Sequence, residues 1–480
     1  MLNWLLLLPL VMGLLAFAVR VKPVLQGLLL CTAVAHATLT MRLWGGEARA
    51  AAVAWHGWLQ LDPAGTLFLS ITSLLFLAAA VYGVSYLGKE CHRYPAGHQA
   101  VFVGCLLLFL ATMTLVCLAQ HLGLLWVAIE ATTLASAPLI YFHRSSRSLE
   151  ATWKYLVICS VGIALALLGT FFLGIAAHRA GGTLIVSELV GQAGLLLTPW
   201  LKVAFVLFVV GYGTKVGLAP LHTWLPDAHS EAPAMVSCLL SGALLNNAFL
   251  GILRMRQICG AAGLGAFGHG TLIGLGLLSM ATAAIFIIGQ TDYKRLLAYS
   301  SVEHMGVLAV GFGLGGWGTI GALFHAVNHS LGKGLLFLTA GNILEGYHTK
   351  AIAEVRGLRR LLPGTGLMWL FGFLALTGAP PSGAFLSELL VAAAAFQAGQ
   401  PLIGVAFLAL LTVIFAGMAR PFLEMTGGEP PAVVAERRPQ ESLLRVLPIY
   451  LLWVGLFTLG WYVPPALRDL LTRAAALLGG

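Results

Sequence analysis

The sequence predicts an all-α, polytopic membrane protein of roughly 14 transmembrane helices, and composition, hydropathy and segment length each indicate it. Of the 480 residues, 59% are hydrophobic and only 9% are charged, whereas a soluble domain carries about 25% charged residues. The mean hydropathy is +0.91. Apolar stretches of about 20 residues, long enough to cross a bilayer as a helix, recur along the whole chain. These observations exclude a water-soluble fold.

Gly, Pro and charged residues punctuate the apolar stretches and set the expected boundaries. The predicted spans are 3–19, 24–41, 64–88, 99–119, 121–141, 152–177, 200–221, 232–253, 267–290, 296–314, 317–344, 366–397, 401–421 and 443–463. Span 1 contains Ala16-Phe17-Ala18, but no Lys or Arg precedes it, so it is interpreted as an uncleaved span. Arg468 and Arg473 follow span 14 in a short amphipathic tail, which we expect to lie along the membrane interface.

Two spans are interrupted by Gly and Pro. Span 7 contains VVGYGTKVGLAPLHTWLPDAH, with Lys215 in its middle, and span 12 contains FLALTGAPPSGAFLSELLV, with Glu388 just beyond the break. Broken membrane helices persist only where protein or water satisfies the freed backbone groups. Such breaks at corresponding places in two halves indicate inverted repeats. We therefore predict two inverted five-helix repeats, spans 4–8 and 9–13, with Lys215 and Glu388 at matching sites.

The chain is predicted to form one membrane domain over residues 1–480. Its expected parts are the N-terminal helices 1–3 (1–98), the first repeat (99–257), the second repeat (258–421) and a C-terminal part (422–480). The C-terminal part comprises a charged, Pro- and Gly-rich cytoplasmic loop, helix 14 and the short tail.

Lys and Arg in alternate loops predict the orientation. The richer set of loops holds Arg20, Lys22, Lys89, Arg93, Arg144, Arg147, Lys294, Arg295, Lys350, Arg356, Arg359, Arg360, Arg420, Arg437, Arg438 and Arg445. The poorer set holds Arg42, Arg49, Arg179, Lys202, Arg254, Arg256, Arg468 and Arg473. Cytoplasmic loops carry the excess. With an even number of spans, both termini should then face the periplasmic side of a bacterial or archaeal inner membrane.

Other function classes find no support in the sequence. The net charge of +9 lies mostly between the spans, where it sets orientation, so we expect no nucleic-acid partner. The seven Cys form no CxxC pattern that would indicate zinc or iron–sulfur ligation. Matches to GxGxxG lack a preceding strand, and no Ser/His/Asp set stands out. We therefore expect no catalytic residue, cofactor or metal on this chain.

Ionisable residues inside the spans carry the functional argument, because a charge at the bilayer centre costs several kcal/mol unless it serves a pathway. In span 11, FHAVNHSLGKGLLF places His325, His329 and Lys333 at i, i+4 and i+8, on one stripe of a helix. His titrates near neutral pH and suits a proton relay. Paired His four residues apart also occur in zinc proteases, but there a Glu follows the first His. Here Ala326 follows it, and no third ligand is evident.

Three further residues complete the expected proton path. Glu130 in span 5 and Lys215 in span 7 are expected to form a charge pair that acts as a switch, and Glu388 is expected to pass protons to an exit. Secondary candidates, nearer span ends, are Lys154, His222, Asp227, His229, Glu303 and His304. A single buried charge is often only a structural ion pair. This set occupies spans 5, 6, 7, 10, 11 and 12, too many for that explanation.

The chain resembles the antiporter-like subunits of respiratory complex I and its relatives. The motifs that carry the resemblance are TKVGLAPLHTWLPDAHSEAPAMVSCLLSGALL, TDYKRLLAYSSVEHMG, FHAVNHSLGKGLLFLTAGN and GAPPSGAFLSELL. The details are closest to the hydrogenase-4 component F group of group 4 hydrogenase complexes. The resemblance implies the 14-helix fold with its inverted repeats, and it implies proton-translocating roles for Glu130, Lys215, the span-11 group and Glu388.

One residue departs from the family pattern. Several members carry a central Lys or His on span 8, whereas Asn246 stands there in this chain. Asn can hydrogen-bond a water molecule but cannot carry the proton itself, so Asn246 is also a secondary candidate. A degenerate scaffold subunit would explain Asn246, but the charges retained on the other spans argue against that alternative.

The resemblance implies a non-catalytic, ion-translocating subunit of a redox-driven oxidoreductase complex of the NADH-quinone oxidoreductase or group 4 hydrogenase type. Its expected partners are other membrane subunits, the lipid bilayer and peripheral iron–sulfur, nickel–iron or quinone-reducing subunits. The alternative is a subunit of a multisubunit cation/proton antiporter or of an inorganic-carbon uptake system.

Overall fold

The computed structural model describes residues 1–44, 53–90, 94–437 and 439–479 and is mostly helical. The N-terminal half contains α1 (Leu2–Ala16), α2 (Lys22–Arg42), α3 (Pro63–Glu90), α4 (Ala96–Leu118), α5 (Leu122–Ile140), α6 (Ser146–Ala176), α7 (Val186–Gly191), α8 (Thr198–Val216), α9 (Leu225–Glu231), α10 (Ala234–Leu239) and α11 (Leu245–Ala261). A π-helical turn, Leu240–Leu244, joins α10 to α11.

The remaining helices complete the bundle. They are α12 (Gly265–Ile287), α13 (Tyr293–Leu314), α14 (Trp317–Tyr347), α15 (Leu358–Leu361), α16 (Pro363–Leu376), α17 (Gly383–Gln397), α18 (Pro401–Thr426), α19 (Ala432–Arg437), α20 (Leu443–Thr458) and α21 (Pro465–Leu477). The sequence did not indicate the small hairpin before α3, in which β1 (Val53–Ala54) pairs antiparallel with β2 (Leu59–Gln60).

Each predicted span overlaps one helix or a pair of consecutive helices. In the described part of the chain, nine helices are long and apolar enough to cross a membrane, and four shorter apolar helices accompany them. Most of α14 is buried, polar residues included, because α13, α16, α17 and α20 pack around it. The predicted amphipathic tail forms α21, whose apolar face packs on α3 and α14.

Both predicted interruptions coincide with breaks between helices. Helix α8 ends at Gly217, whose φ of +82° is a left-handed conformation that glycine tolerates. In the connection to α9, the Ser279 hydroxyl accepts a hydrogen bond from the backbone N–H of Ala219, and the Trp224 indole N–H donates to the Thr214 carbonyl. These bonds replace part of the interrupted helix ladder, as a break inside an apolar bundle requires.

The second break lies between α16 and α17. Gly378 follows α16 with a φ of +69°, and the Ala379 N–H donates back to the Leu374 carbonyl at 2.8 Å. Helix α17 then starts with the Ser382 side chain as its N-cap, which accepts from the Phe385 N–H. The break places the first turns of α17 beside α14.

Glycines allow close helix approach around these elements. A Cβ atom at Gly306 of α13 would lie 2.7 Å from the Gly276 carbonyl of α12, and a Cβ atom at Gly211 of α8 would lie 2.7 Å from the Gly162 carbonyl of α6. Small residues drive association of membrane helices by letting their backbones meet. The α12–α13 and α6–α8 contacts thereby fix the helices that carry the candidate site.

Four basic residues that the orientation argument counted as loop charges are in fact buried and paired. Arg254 forms an ion pair with Asp62, Arg445 forms one with Glu345, Lys294 donates to the carbonyls of Ser230 and Ala232, and Arg256 donates to the Leu478 carbonyl. Two of the four belong to each set of loops, so the set that is richer in Lys and Arg remains the richer one. Arg49, Cys91, Arg93 and Arg438, which the sequence arguments also used, lie outside the described residues, and so does the side chain of Lys89.

Candidate functional site

The Lys215 cluster lies where α5, α6 and the last turn of α8 meet. Lys215 is fully buried, and its ammonium donates to the Thr133 hydroxyl at 2.8 Å and to the Tyr155 hydroxyl at 2.6 Å. Thr133 in turn donates to Glu130 Oε2 at 3.3 Å. The expected pairing of Lys215 with Glu130 therefore runs through a hydroxyl group. Thr133 lies one helical turn from Glu130 on α5, which places it between the two charges.

The hydroxyl groups of this cluster form an ordered chain. Ser136 donates its proton to the Thr132 carbonyl at 2.6 Å, so at its 2.6 Å contact with Tyr155 it acts as the acceptor. Tyr155 consequently donates to Ser136 and accepts from Lys215. The ammonium also lies 4.4 Å from the centre of the Tyr155 ring, a cation–π distance. The Lys215 side chain thus contacts two hydroxyl groups and one aromatic ring inside the bundle.

Glu130 differs from Lys215 in its surroundings. The carboxylate accepts from Ser160 Oγ at 2.9 Å in addition to its bond from Thr133. The residue is only half-buried, although it lies in the middle of the apolar helix α5. The Glu130 side chain thus reaches the surface of this chain, whereas Lys215 is fully enclosed.

Lys333 is the central basic group of α14. It is fully buried and donates to the Leu297 carbonyl at 2.8 Å and to the Ser300 hydroxyl, both on α13. Asn246 of α11 approaches the same helix, because its amide donates to Ser330 Oγ at 2.7 Å. Its amide oxygen has no hydrogen-bond partner among the described residues. Asn246 is thus anchored to α14, and its acceptor remains free for a water molecule.

A histidine group lies beside Lys333. His304 Nδ1 of α13 lies 3.0 Å from His325 Nε2 of α14, and the His304 and His329 rings are 4.9 Å apart. His329 Nε2 donates to the Ser241 carbonyl in the π-helical turn at 3.3 Å. The expectation that Glu303 and His304 lie near a span end was wrong. Both are buried in the middle of α13, because α13 packs along the stripe of α14.

Glu388 occupies the far end of this group. It is 7% exposed, and its Oε1 lacks a hydrogen-bond partner in the described part of the chain. A Cβ atom at Gly378 would collide with Glu388 Oε2, and the φ of +69° at this position also favours glycine. One ligand atom each from His304, His325 and Glu388 lies within 4.8 Å of the others. The sequence argument considered only the pair His325 and His329, whereas this group joins His325 to residues of α13 and α17.

Several secondary candidates lie outside these clusters. Lys154 forms ion pairs with Glu150 and Asp227, and Asp227 also pairs with Arg295, in a partly exposed network. Its position near the start of α6 agrees with the expected location near a span end. Such a surface network contributes little to stability. No hydrogen bond or ion pair between described residues joins it to the buried groups.

His222 and His229 are both buried near the first break. His222 lies beside the rings of Phe286 and Tyr299, and His229 stacks on Phe337 at 5.0 Å. Neither nitrogen of His229 has a hydrogen-bond partner among the described residues. His229 is therefore a buried polar group that protein atoms alone do not satisfy, as expected of a side chain that contacts water.

Sequence reasoning missed the hydroxyl groups of the site. Thr133, Tyr155, Ser300 and Ser387 contact the charged or imidazole groups directly. Thr133 could have been found, because it lies three residues from Glu130 on the same helix face. The other three come from different helices, and no local spacing indicates them.

Residues 119–414 match the family described as NADH:quinone oxidoreductase/Mrp antiporter, transmembrane. This chain belongs to that family. The resemblance predicted from the motifs is thus confirmed, and the protein is an antiporter-like membrane subunit. It is 34% identical over 433 residues to a hydrogenase-4 component F homolog of Methylacidiphilum infernorum, an alignment that covers 87% of this chain and 88% of the relative.

Two solved structures share the fold of this antiporter-like subunit. A chain of the Mrp complex from Dietzia sp. superposes with a TM-score of 0.87 at 20% identity, covering 99% of this chain and 97% of that chain. A chain of respiratory complex I from Thermus thermophilus superposes with a TM-score of 0.76 at 25% identity, covering all of both chains. The mostly helical, multi-pass fold is thus shared with both structures.

Proposed function

We propose that this antiporter-like subunit translocates protons in a redox-driven complex of the group 4 hydrogenase or NADH-quinone oxidoreductase type. Electron transfer in partner subunits would supply the energy. The observation that carries the proposal is the burial of Lys215, Lys333 and the histidine group inside one helix bundle. Both lysine ammonium groups donate to hydroxyl or carbonyl oxygens, and neither forms an ion pair among the described residues. Unneutralised charges at this depth are functional by default.

The proposed path has two parts. Protons reach Lys215 from the cytoplasmic side by way of half-buried Glu130 and the Thr133 hydroxyl. They continue along the α13–α14 contact, past Lys333 and the histidines, to Glu388. The step between the two parts passes Asn246, whose free amide oxygen supports a water molecule at that point. This path needs water between the clusters and no cofactor or metal on the chain.

The proposed membrane arrangement has 14 crossings in one domain. Helices 4–8 and 9–13 form the inverted repeats (residues 99–257 and 258–421), helices 1–3 precede them (1–98), and residues 422–480 hold the last loop, helix 14 and the tail. The break after Lys215 in helix 7 and the break before Glu388 in helix 12 support this division. The subunit would lie in the inner membrane of a bacterium or archaeon with both termini on the periplasmic face.

The proposed partners are other membrane subunits together with peripheral redox subunits that carry iron–sulfur, nickel–iron or quinone-reducing centres. The names of the relatives support this, since one is named a hydrogenase-4 component F homolog and another is a chain of respiratory complex I. The half-buried Glu130 also supports it, because a neighbouring membrane subunit would cover that carboxylate.

The test replaces the two buried lysines in the native complex. Lys215→Met and Lys333→Met should each abolish proton uptake into membrane vesicles while the complex still assembles, because neither methionine can carry a proton. Lys202→Met is the matched control, since Lys202 lies on the same helix as Lys215 but is exposed. Redox-driven proton uptake at the wild-type rate in both buried-lysine variants would overturn the proposal.

A second candidate is a subunit of a multisubunit cation/proton antiporter or of an inorganic-carbon uptake system. The fold shared with the Mrp chain over 99% of this chain favours it as the runner-up. Identification of the subunits that co-purify with the native protein separates the two. Redox subunits favour the first function, whereas further antiporter subunits or one large soluble zinc protein favour the second.

A further inference from the structure

His304, His325 and Glu388 converge from three helices on one buried point. They come from α13, α14 and α17, and they are 1%, 0% and 7% exposed. The two ring nitrogens that face each other are 3.0 Å apart, and one carboxylate oxygen lies within 4.8 Å of both histidines. In a tetrahedral zinc site with Zn–N bonds of about 2.0–2.1 Å, two nitrogen ligands lie about 3.3 Å apart. The rings need to separate by only a few tenths of an ångström to admit an ion.

Nε2 of His325 is already oriented for metal binding. Ser387 donates its proton to the Ala384 carbonyl at 2.8 Å, so it accepts the hydrogen bond from His325 Nδ1 at 2.9 Å. His325 therefore carries its proton on Nδ1, and the lone pair of Nε2 points at His304. Metal-binding histidines almost always donate their second N–H to a carboxylate, carbonyl or water, which fixes the tautomer. Ser387 supplies that support here.

His304 has a corresponding partner on its other side. Its Nδ1 donates to His325 in the metal-free arrangement, and its Nε2 lies 3.8 Å from Glu303 Oε2 without a hydrogen bond. When an ion takes the place of the Nδ1 proton, the ring proton belongs on Nε2, where it faces Glu303. A carboxylate–histidine–metal arrangement results. A carboxylate oxygen of Glu388 is the third ligand atom, and Oε1 of that carboxylate is buried without a hydrogen-bond partner among the described residues.

We propose that His304, His325 and Glu388 form a binding site for a divalent transition-metal ion of the zinc type. Imidazole nitrogens suit zinc, copper, iron and nickel, and two histidines with one glutamate are an established zinc ligand set. A water molecule completes the coordination. None of the three residues is near another in sequence, so the site exists only in the folded bundle.

The consequence for transport rests on the proposed function. An ion at this point replaces the proton that His304 and His325 share and adds two positive charges to the relay. Zinc should therefore inhibit proton uptake by the native complex. Ser387→Ala, which removes the hydroxyl partner of His325 and no residue of the proposed path, should need about a 10- to 100-fold higher Zn²⁺ concentration for the same inhibition. His36→Gln, which alters a buried histidine bonded to Ser73 and Thr114, should leave the inhibition unchanged.

Metal binding itself is tested on the purified full chain in detergent, prepared without a polyhistidine tag. Zn²⁺ titrated by calorimetry should bind at one equivalent per chain, and Co²⁺ should give visible absorption bands of a four-coordinate site. His325→Ala and Glu388→Gln should remove the Co²⁺ bands and weaken Zn²⁺ binding at least tenfold. Ser387→Ala should weaken it about 10- to 100-fold, the usual effect of losing an outer partner.

His329→Gln is the matched control for binding, because His329 lies next to His304 but is not one of the converging ligands. It should retain one equivalent of Zn²⁺ and the Co²⁺ spectrum. Absence of stoichiometric binding, or binding that survives His325→Ala and Glu388→Gln, would overturn the site. Loss of binding in His329→Gln would overturn the ligand assignment.

The two proposals fail separately. If the wild-type chain binds no Zn²⁺ while Lys333→Met still stops transport, the metal site falls and the proposed function stands. If Zn²⁺ binds through the three ligands while the buried-lysine variants pump normally, the site stands and the proposed function falls.

Discussion

Replacement of Thr133 by Val tests whether the hydroxyl bridge couples Glu130 to Lys215. Val has nearly the shape of Thr, so the change removes one hydroxyl and little volume. Two contacts disappear, namely the 2.8 Å bond from the Lys215 ammonium and the 3.3 Å bond to Glu130 Oε2. Lys215 keeps its bond to Tyr155 at 2.6 Å. The variant therefore isolates the link to the carboxylate.

The size of the effect follows from these distances. A hydrogen bond to a charged group contributes about 1.5–3 kcal/mol. The 2.8 Å bond to Lys215 is well formed, whereas the 3.3 Å bond to Glu130 is long and adds little. If proton transfer through Thr133 limits transport, the barrier rises by about that amount, and the rate falls about 10- to 150-fold.

The assay is the initial rate of proton uptake into vesicles that contain the native complex, followed with a pH-sensitive dye. Thr133→Ser is the matched control, since it keeps the hydroxyl group and should retain most of the rate. The thermal unfolding midpoint of both variants is measured alongside, so that a loss of folded protein is distinguished from a loss of transfer. A Thr133→Val complex that pumps at the rate of the Thr133→Ser complex would refute the bridge.

The remaining predictions concern stability. Asp62→Asn leaves the buried Arg254 guanidinium without its counter-charge and should lower the free energy of unfolding by about 3–5 kcal/mol. A change at exposed Asp469 should lower it by less than about 0.5 kcal/mol. Equal thermal unfolding midpoints of these two variants in detergent would contradict the prediction. Burial acts to raise the pKa of the Asp62 carboxyl, but the facing guanidinium outweighs it and holds the pKa below its usual 3.8. Since the pKa of Asp62 is lowered in the folded state, its stabilising effect is present above about pH 4 and is lost as the pH falls further. The thermal unfolding midpoint of the wild type should therefore drop in acid more than that of Asp62→Asn. Gly306→Ala places a methyl group against the Gly276 carbonyl and should destabilise the folded chain by about 1–3 kcal/mol. Gly274→Ala is the control, because its methyl group meets open space and should not destabilise the fold in this way. Similar unfolding midpoints for these two variants would show that the α12–α13 contact is not tight.

The sequence indicated the features that depend on local spacing. Gly and Pro at the two interruptions predicted breaks that lie between α8 and α9 and between α16 and α17. The helical period predicted that His325, His329 and Lys333 share one stripe of α14, and the three indeed face α13 and the π-helical turn. These predictions held because apolar length, helix-breaking residues and a fixed helical repeat act within one segment.

Contacts between distant segments were beyond sequence reasoning. Asp62 and Arg254 are far apart in the chain, and Arg254 was counted as a loop charge, yet the two form a buried ion pair. Glu303 was assigned to a span end because its helix boundary was uncertain, and its burial depends on how α13 packs against α14. The partners of Lys215 come from α5 and α6, whose relative rotation no local pattern fixes.

The amino-acid order by itself determined that this chain is a helical membrane protein with two interrupted spans and ionisable residues on defined helix faces. Only the tertiary structure decided which groups meet: Thr133 between Glu130 and Lys215, and Glu388 beside His325. The physical reason is that helix periodicity sets the direction of a side chain relative to its own axis. The distance to a partner depends on the crossing and depth of neighbouring helices, which packing of the whole bundle fixes.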